Sequence, residues 1–288
     1  MKLSTKGLVI AVLMGAAIAV YPTVASAWSH NEHVVNSTGA TAYDVVKILD
    51  GDYEITDMME WDFANHDYYH RTVGGKVQTV LRWWGGTVAA GDVGDVCFTA
   101  KPLGCSVQHA KIIGAWWTDE NGEPLGNYYP ALSLEIDFTN PNNPIVEIGN
   151  NQAANIDFNA GNPNFWADGD FVLSGNAAPL HVVKVQAAIV DDAFTPENLF
   201  VENTINGPIA DSFFDIFTNV DVLAGDPLTV PLGEMVMPGQ SVVVVANLGG
   251  GNYDLFNFTT CNVPEPSMVI LLISLGFVVL LGFRRKRA

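Results

Sequence analysis

The stretch that decides the fold class is Leu132-Ser133-Leu134-Glu135-Ile136-Asp137-Phe138, where apolar and polar residues alternate. Successive side chains of a β-strand point to opposite faces of the sheet. The pattern therefore predicts a strand whose apolar side chains are buried and whose Ser133, Glu135 and Asp137 face water.

Other segments rich in Val, Ile, Thr and aromatic residues are also typical of strands, and clusters of turn-forming residues separate them. They span residues 43–49, 77–84, 111–117, 180–190 and 241–247. The Asn121-Gly122 pair is typical of a two-residue hairpin turn. Many short strands bury their faces between packed sheets, so we expect an all-β fold of one or two antiparallel, immunoglobulin-like β-sandwich domains.

An Asn- and Pro-rich segment, 140–163, consists of residues that end strands and favour turns. We predict that it is a linker or loop between a β-sandwich domain at 28–139 and a second β-sandwich domain at 164–262. A single large sandwich with a long loop is the alternative that the sequence leaves open.

The 288-residue chain is strongly acidic, with 13 Lys and Arg against 31 Asp and Glu and a formal net charge of -18. Such a surface repels a phosphate backbone, so nucleic acid is excluded as a partner. The chain has 3 cysteines, too few for a disulfide-dense scaffold.

The N-terminus carries the parts of a secretory signal peptide in the usual order. Lys2 and Lys6 supply positive charge, residues 8–20 are almost purely apolar, and Ala25-Ser26-Ala27 is a small-residue cleavage site. The apolar run is shorter than the roughly 20 residues that span a bilayer. We therefore predict that residues 1–27 are a signal peptide and are removed.

The C-terminus contains Pro264-Glu265-Pro266, then an apolar run at 268–283, then Arg284-Arg285-Lys286-Arg287. The apolar run predicts a short transmembrane helix. Basic residues stay in the cytoplasm, which places the body outside the inner membrane.

This order closely resembles the PEP-CTERM sorting signal of Gram-negative bacteria, which exosortase recognises, and the resemblance covers residues 263–288. It implies that Pro264, Glu265 and Pro266 are recognition residues, that the helix anchors the precursor transiently, and that the basic tail sets the topology. It also implies processing near Pro-Glu-Pro and a destination at the cell surface or in the extracellular matrix. An ordinary tail anchor is the alternative.

Cys97 and Cys105 flank Pro102 and Gly104, and a hairpin between them would bring their Cα atoms within bridging range. We predict that they form a disulfide in the exported protein. Cys261 is then left over, just before the Pro-Glu-Pro sequence.

Several side chains are candidate metal ligands. His66 and His70 would share one face of a strand and could hold a transition metal. Asp50-Gly51-Asp52 and Asp168-Gly169-Asp170 place carboxylates on turns, where calcium is the expected cation. After cleavage, His30 would be the third residue, which together with a free amine can wrap Cu(II) or Ni(II). Ordinary polar turns and loops are the alternative.

The doublets Trp83-Trp84 and Trp116-Trp117 place neighbouring rings on opposite faces of a strand. One ring of each pair is expected to leave the main core. That ring either packs against the neighbouring domain, which we favour, or offers a stacking platform to a sugar.

The sequence lacks the Gly-x-Ser-x-Gly, P-loop and His-Glu-x-x-His motifs. We therefore predict no enzyme, but a structural or adhesive protein of a polysaccharide-rich envelope. A carbohydrate- or calcium-binding surface module is the first alternative, and a secreted polysaccharide hydrolase is the second. The expected partners are exosortase, the inner membrane during transit, and extracellular polysaccharide.

N-terminal sequencing of the protein from its native host should give Trp28 as the first residue, because the charge order, the apolar length and the Ala25-Ser26-Ala27 site agree. A mature chain that still begins with Met1 would contradict this prediction.

Overall fold

The computed structural model describes residues 28–59, 62–101, 107–126, 128–159, 161–162, 165–191, 200–201, 204–205, 212–237 and 239–260. Within these ranges no helix is long and apolar enough to cross a bilayer. The predicted signal peptide at 1–27 and the predicted membrane helix at 268–283 lie outside the described residues.

The described chain has an all-β fold, as predicted, and each segment expected to be a strand forms one. The strands are β1 Trp28–Val35, β2 Ala42–Asp50, β3 Ile55–Met59, β4 Asn65–Val73, β5 Lys76–Val88, β6 Val93–Ala100, β7 Val107–Ala110, β8 Ile112–Thr118, β9 Ser133–Asp137, β10 Ile145–Gly149, β11 Asn155–Phe158, β12 Phe171–Ser174, β13 Leu180–Asp191, β14 Phe200–Val201, β15 Thr204–Ile205, β16 Phe214–Val222, β17 Leu228–Pro231, β18 Gln240–Gly249 and β19 Asn252–Thr259. A short helix, α1, spans Phe165–Asp168.

Antiparallel strands build three larger sheets. Sheet A has 7 strands in the order β16-β13-β18-β19-β1-β6-β3. Sheets B and C have 4 strands each, in the orders β4-β5-β2-β8 and β17-β10-β9-β7. β11 pairs with β12, and β14 pairs with β15, in two-stranded sheets.

One hydrophobic core lies between sheet A and the other two sheets. The Trp83 ring of sheet B meets the Phe98 ring of sheet A, with centroids 6.3 Å apart. Leu134 of sheet C and Val244 of sheet A belong to the same cluster of buried residues. Sheets B and C therefore form one layer and sheet A forms the other.

Strand β9 confirms the alternation in its sequence. Leu134 and Ile136 are buried in the core, whereas Glu135 is partly exposed on the outer face. Ser133 differs from the expectation because it is buried. Its Oγ accepts a hydrogen bond from Ile112 N at 2.9 Å and donates one to Ile112 O at 3.1 Å, at the point where β7 passes into β8.

Sheet B is covered on both faces, which was not predicted from the sequence. The second cluster, on the outer face of sheet B, contains Val46, Ile48, Val80, Trp116, Phe165, Trp166 and Phe171. Trp166 Nε1 donates a hydrogen bond of 2.8 Å to Gly122 O, which fastens α1 to the predicted Asn121-Gly122 turn. Gly122 adopts a φ of 84°, a conformation that glycine accepts without strain.

The predicted division at 140–163 differs from the structure. β10 and β11 lie in this segment, and β10 pairs with β9 on one side and with β17 on the other. In sheet A, β1 pairs with β19, and Ser26–Thr260 forms one compact unit. The Asn and Pro residues at 140–144 make the turn between the paired strands β9 and β10. The preference of these residues for turns, on which the linker was predicted, is therefore explained by a turn within one sheet.

Cys97 lies on β6, and its side chain is buried in sheet A. Its Sγ donates a hydrogen bond of 2.7 Å to Asn31 Oδ1. Cys105 and Cys261 lie outside the described residues, so the disulfide between Cys97 and Cys105 stays a prediction.

Trp116→Ala should lower the free energy of unfolding by about 3–5 kcal/mol, because truncation of a buried Trp leaves a cavity in the second cluster. Trp84→Ala, at a partly exposed position of the same sheet, is the matched control and should cost about 1 kcal/mol or less. Urea denaturation of both variants measures the difference. Equal losses would show that the outer face of sheet B is not a core.

Candidate functional site

A groove of about 440 Å³ opens on the outer face of sheet C. Three directly paired residues form a row within it, His109 of β7, Glu135 of β9 and Glu147 of β10. Asp50 and Lys111 also line the groove, with Lys111 Nζ 3.3 Å from Asp50 Oδ2. The row exists because outward positions alternate with core positions along each strand.

Burial and neighbouring charges shift the pKa values of three side chains in the groove towards their neutral forms. Burial raises the pKa of Glu135, and the carboxylate of Asp137 raises it further. Burial raises the pKa of Glu147, and Glu135 adds to the effect. Burial, followed by the charge of Lys111, lowers the pKa of His109. Carboxyl groups of this kind can hydrogen-bond a hydroxyl-rich ligand, or can accept a cation that relieves their repulsion.

A second group of polar side chains lies inside the core between sheets A and B, and we call it the buried polar cluster. Glu32 and Asp254 are directly opposite each other on β1 and β19. His30 precedes Glu32 on the same face of β1, and Lys47 reaches the cluster from β2 of sheet B. His30, Glu32 and Lys47 are 0% exposed, and Asp254 is 1% exposed.

The side chains of the buried polar cluster contact one another closely. Lys47 Nζ forms an ion pair with Glu32 Oε1 and lies 2.9 Å from His30 Nε2. Tyr129 OH donates a hydrogen bond of 3.1 Å to Glu32 Oε2. Asp254 Oδ2 accepts a hydrogen bond of 2.6 Å from the backbone N–H just before β9. These contacts connect both layers of the protein.

Burial and charge set the protonation states in the cluster. Burial by itself raises the pKa of Glu32, but the charge of Lys47 and the contact with His30 outweigh it and lower that pKa to about 2. Burial, assisted by Lys47, lowers the pKa of His30 to about 4. Burial and the charge of Glu32 raise the pKa of Asp254 well above its usual value. These shifts favour an ionised Glu32, a neutral His30 and a protonated Asp254.

Aromatic rings surround the cluster and exclude water. Lys47 Nζ lies 6.0 Å from the centroid of Phe98 and 5.9 Å from that of Tyr129. The His30 ring lies 4.4 Å from the ring of Phe256. In such an apolar environment each electrostatic contact is stronger than it would be in water.

The ligand atoms of His30, Glu32 and Asp254 all lie within 4.8 Å of one another. This spacing would suit a metal ion, but the ammonium group of Lys47 contacts two of the three residues and would repel a cation. The chemistry of the cluster is therefore that of an amine among carboxyl groups.

The predicted metal ligands Asp50, Asp52 and His70 contact other groups of the protein. Asp50 pairs with Lys111, and Asp52 Oδ1 lies 3.4 Å from His70 Nε2. His66 and His70 lie on strand β4, where alternate residues share a face, and His70 Nε2 lies 2.9 Å from Tyr53 O. In the described part of the chain these residues form no group of three metal ligands. Metal binding at these positions stays a prediction.

The second predicted calcium turn follows α1. Asp168 Oδ2 accepts a hydrogen bond of 3.0 Å from Asn162 Nδ2, and Asp170 Oδ2 accepts one of 3.1 Å from Asn159 Nδ2. Both carboxylates are exposed. Side-chain amides thus stabilise this turn, and a role for calcium stays a prediction here too.

The Cu(II) or Ni(II) binding that the spacing of Trp28-Ser29-His30 allows is not available in the folded protein. These residues are paired with β19 on one side and with β6 on the other, so the sheet uses their backbone groups. His30 is buried and its ring contacts Lys47. The backbone nitrogens and the imidazole cannot wrap a metal while β1 stays in sheet A.

The tryptophan doublets point to opposite faces of sheet B, as predicted. Trp83 and Trp117 lie in the main core, and Trp116 lies in the second cluster. Trp84 is partly exposed, and the Arg82 guanidinium lies 5.5 Å from its ring centroid. Of these four rings, Trp84 alone is accessible to a sugar.

The set formed by Glu32, Lys47 and Asp254 was not predicted from the sequence. Its best signal is Val45-Val46-Lys47-Ile48-Leu49, where a charged residue occupies the inward-facing position between Val45 and Leu49. A buried charge requires a partner, but the pattern does not say which residue provides it.

The sorting-signal residues (Pro264, Glu265, Pro266, Arg284, Arg285, Lys286 and Arg287) and the cleavage residues (Ala25 and Ala27) lie outside the described residues. Comparison with known protein families matches residues 262–287 to the PEP-CTERM protein-sorting motif, which confirms the resemblance in the sequence. No curated protein matches the chain.

Glu147→Gln should raise the free energy of unfolding at neutral pH by roughly 0.3 kcal/mol, because it removes the repulsion between Glu147 and Glu135 across the strands. The pKa of Glu147 is higher in the folded protein than in the unfolded chain, so the native state holds the Glu147 proton more tightly. The destabilisation by ionised Glu147 therefore develops as the pH rises through the folded-state pKa. The gain should therefore vanish in acid. Urea denaturation between about pH 3 and about pH 7.5 tests this.

The matched control for this measurement is Glu234→Gln, at an exposed position away from the groove. It should change stability little at either pH. A Glu147→Gln gain that persists unchanged in acid would show that repulsion between the carboxylates is not its cause.

Proposed function

From the sorting motif we propose that the protein has a structural or adhesive role in the polysaccharide-rich envelope or matrix of a Gram-negative bacterium. The motif identifies an exported protein that exosortase sorts, with a precursor that passes through the membrane. We propose further that the body of the protein, a β-sandwich module of the immunoglobulin-like type, fills this role without catalysing a reaction.

The observation that carries this proposal is the match at residues 262–287, because it sets the destination of the protein. The body fits that destination physically. Its net negative charge favours a hydrated, soluble surface, and its core extends across both layers of sheets. A stably folded body of this kind suits a mechanical role outside the cell.

The groove on sheet C favours a second candidate function, a carbohydrate- or calcium-binding surface module. His109, Glu135 and Glu147 present polar groups in a row within a concave surface. A disaccharide-sized ligand fits a volume of about 440 Å³. Paired carboxyl groups also occur in glycosidases, so binding and turnover must be measured together.

Deletion of the gene in the producing bacterium should lower the shear stress at which the matrix detaches, if the role is structural. The full chain should restore cohesion, and a chain with Glu265→Ala in the sorting motif should restore much less because it is not sorted. An unchanged matrix after deletion would reject the structural role.

The exported protein should then be mixed with polysaccharide from the same organism, with and without calcium, and assayed for binding and for released sugar. Saturable binding that Glu135→Gln and Glu147→Gln together weaken supports the second candidate. Release of oligosaccharide would refute the non-catalytic proposal.

A further inference from the structure

We propose that Lys47 and Asp254 become joined by an amide bond between the side-chain amine and the side-chain carboxyl, in a reaction that Glu32 promotes inside the folded core. This inference goes beyond the proposed function and does not depend on it. The bond would cross-link β2 in one layer to β19 in the other.

The geometry brings three reacting groups to one place. Glu32 Oε1 forms an ion pair with Lys47 Nζ, and Asp254 is directly opposite Glu32 on the neighbouring strand. The carboxylate oxygens of Glu32 and Asp254 lie within 4.8 Å of each other. Glu32 therefore lies beside both the amine and the acid, where a proton carrier for their condensation must be.

The chemical state of each group suits its role. A carboxylate resists attack by an amine more strongly than a neutral carboxylic acid does, and burial shifts the pKa of Asp254 towards its protonated form. Glu32 is ionised and can accept a proton. Transfer of a proton from Lys47 to Glu32 converts the ion pair into two neutral groups, which removes the desolvation cost of two buried charges and leaves a nucleophilic amine.

The step balances without any further reactant. Glu32 takes one proton from the Lys47 ammonium, and the free amine attacks Asp254 Cγ to form the new C–N bond. Glu32 then relays a proton from the nitrogen to a hydroxyl on Asp254 Cγ, the C–O bond breaks, and one water molecule leaves. The products are the amide, water and a protonated Glu32, so the total charge stays at zero.

Two features of the site promote condensation over the reverse reaction. Groups held together in a fold react as if their concentration were roughly 10⁵ M or higher when their geometry is right. The rings of Phe98, Tyr129 and Phe256 exclude water, which lowers the activity of the molecule that would hydrolyse the bond. His30 acts as a positioning residue, because its Nε2 lies 2.9 Å from the amine.

The test is peptide mass spectrometry on the full exported chain after denaturation and proteolysis. We expect a branched peptide that contains Lys47 and Asp254 and that is lighter than its two parts by one water molecule. Trypsin should also fail to cleave after Lys47. Complete recovery of unmodified Lys47 peptide would overturn the proposal, as would an amide from Lys47 to Glu32.

Variants separate the reaction from folding. Lys47→Arg keeps the positive charge but provides no amine, and Glu32→Gln keeps the shape but removes the proton acceptor. Both should abolish the branched peptide and slow the electrophoretic migration of the denatured chain. Lys111→Arg, at a lysine outside the cluster, is the matched control and should leave both readouts unchanged. A branched peptide that forms at the wild-type level in Glu32→Gln would remove Glu32 from the reaction.

Discussion

The ion pair between Lys47 and Glu32 is the contact on which the packing of the two layers depends. A charge buried without its partner destabilises a fold by several kcal/mol, so the layers can close only where these two side chains meet. The apolar contacts elsewhere in the core depend less on exact distance than the ion pair does. The ion pair therefore fixes the position of β2 relative to β1. Both of its side chains are 0% exposed.

Neighbouring groups make this pair compatible with the core. Tyr129 OH donates to the second oxygen of Glu32, and His30 stays neutral beside the ammonium. Asp254 also stays neutral, which avoids a second negative charge beside Glu32. The cluster thus contains an amine, a base and a carboxylic acid, which are the groups that amide formation requires, in a site from which water is excluded.

Coverage of sheet B determines which surface of the body is open to partners. α1 and β12 bury the outer face of sheet B, so Trp116 stabilises the fold and is not available to a ligand. Among the described residues, none covers the outer face of sheet C in this way, and that face contains the groove with Glu135 and Glu147. A binding role for the body belongs on that face, while the tail at 262–287 sets the destination.

Local pattern was enough to predict much of this protein. Alternation in 132–138 predicted β9, and the order of elements at 263–288 predicted the sorting motif. The Asn121-Gly122 pair predicted a turn at this place, although the turn spans Asp119 to Glu123 and is longer than the expected two residues. These features depend on neighbouring residues or on a contiguous motif, so the sequence contains all the information they require.

Pairing between distant residues was decided by the tertiary structure alone. β1 lies beside β19, and β10 pairs with β17, so the Asn- and Pro-rich segment at 140–163 contributes turns and strands to one unit and does not separate two domains. The same long-range pairing buries His30, which local spacing had placed in a metal site, and brings Glu32 and Asp254 to Lys47. A charged residue in an apolar strand reveals that a partner must exist, but only the folded chain determines which residue it is, because that choice depends on contacts between residues far apart in sequence.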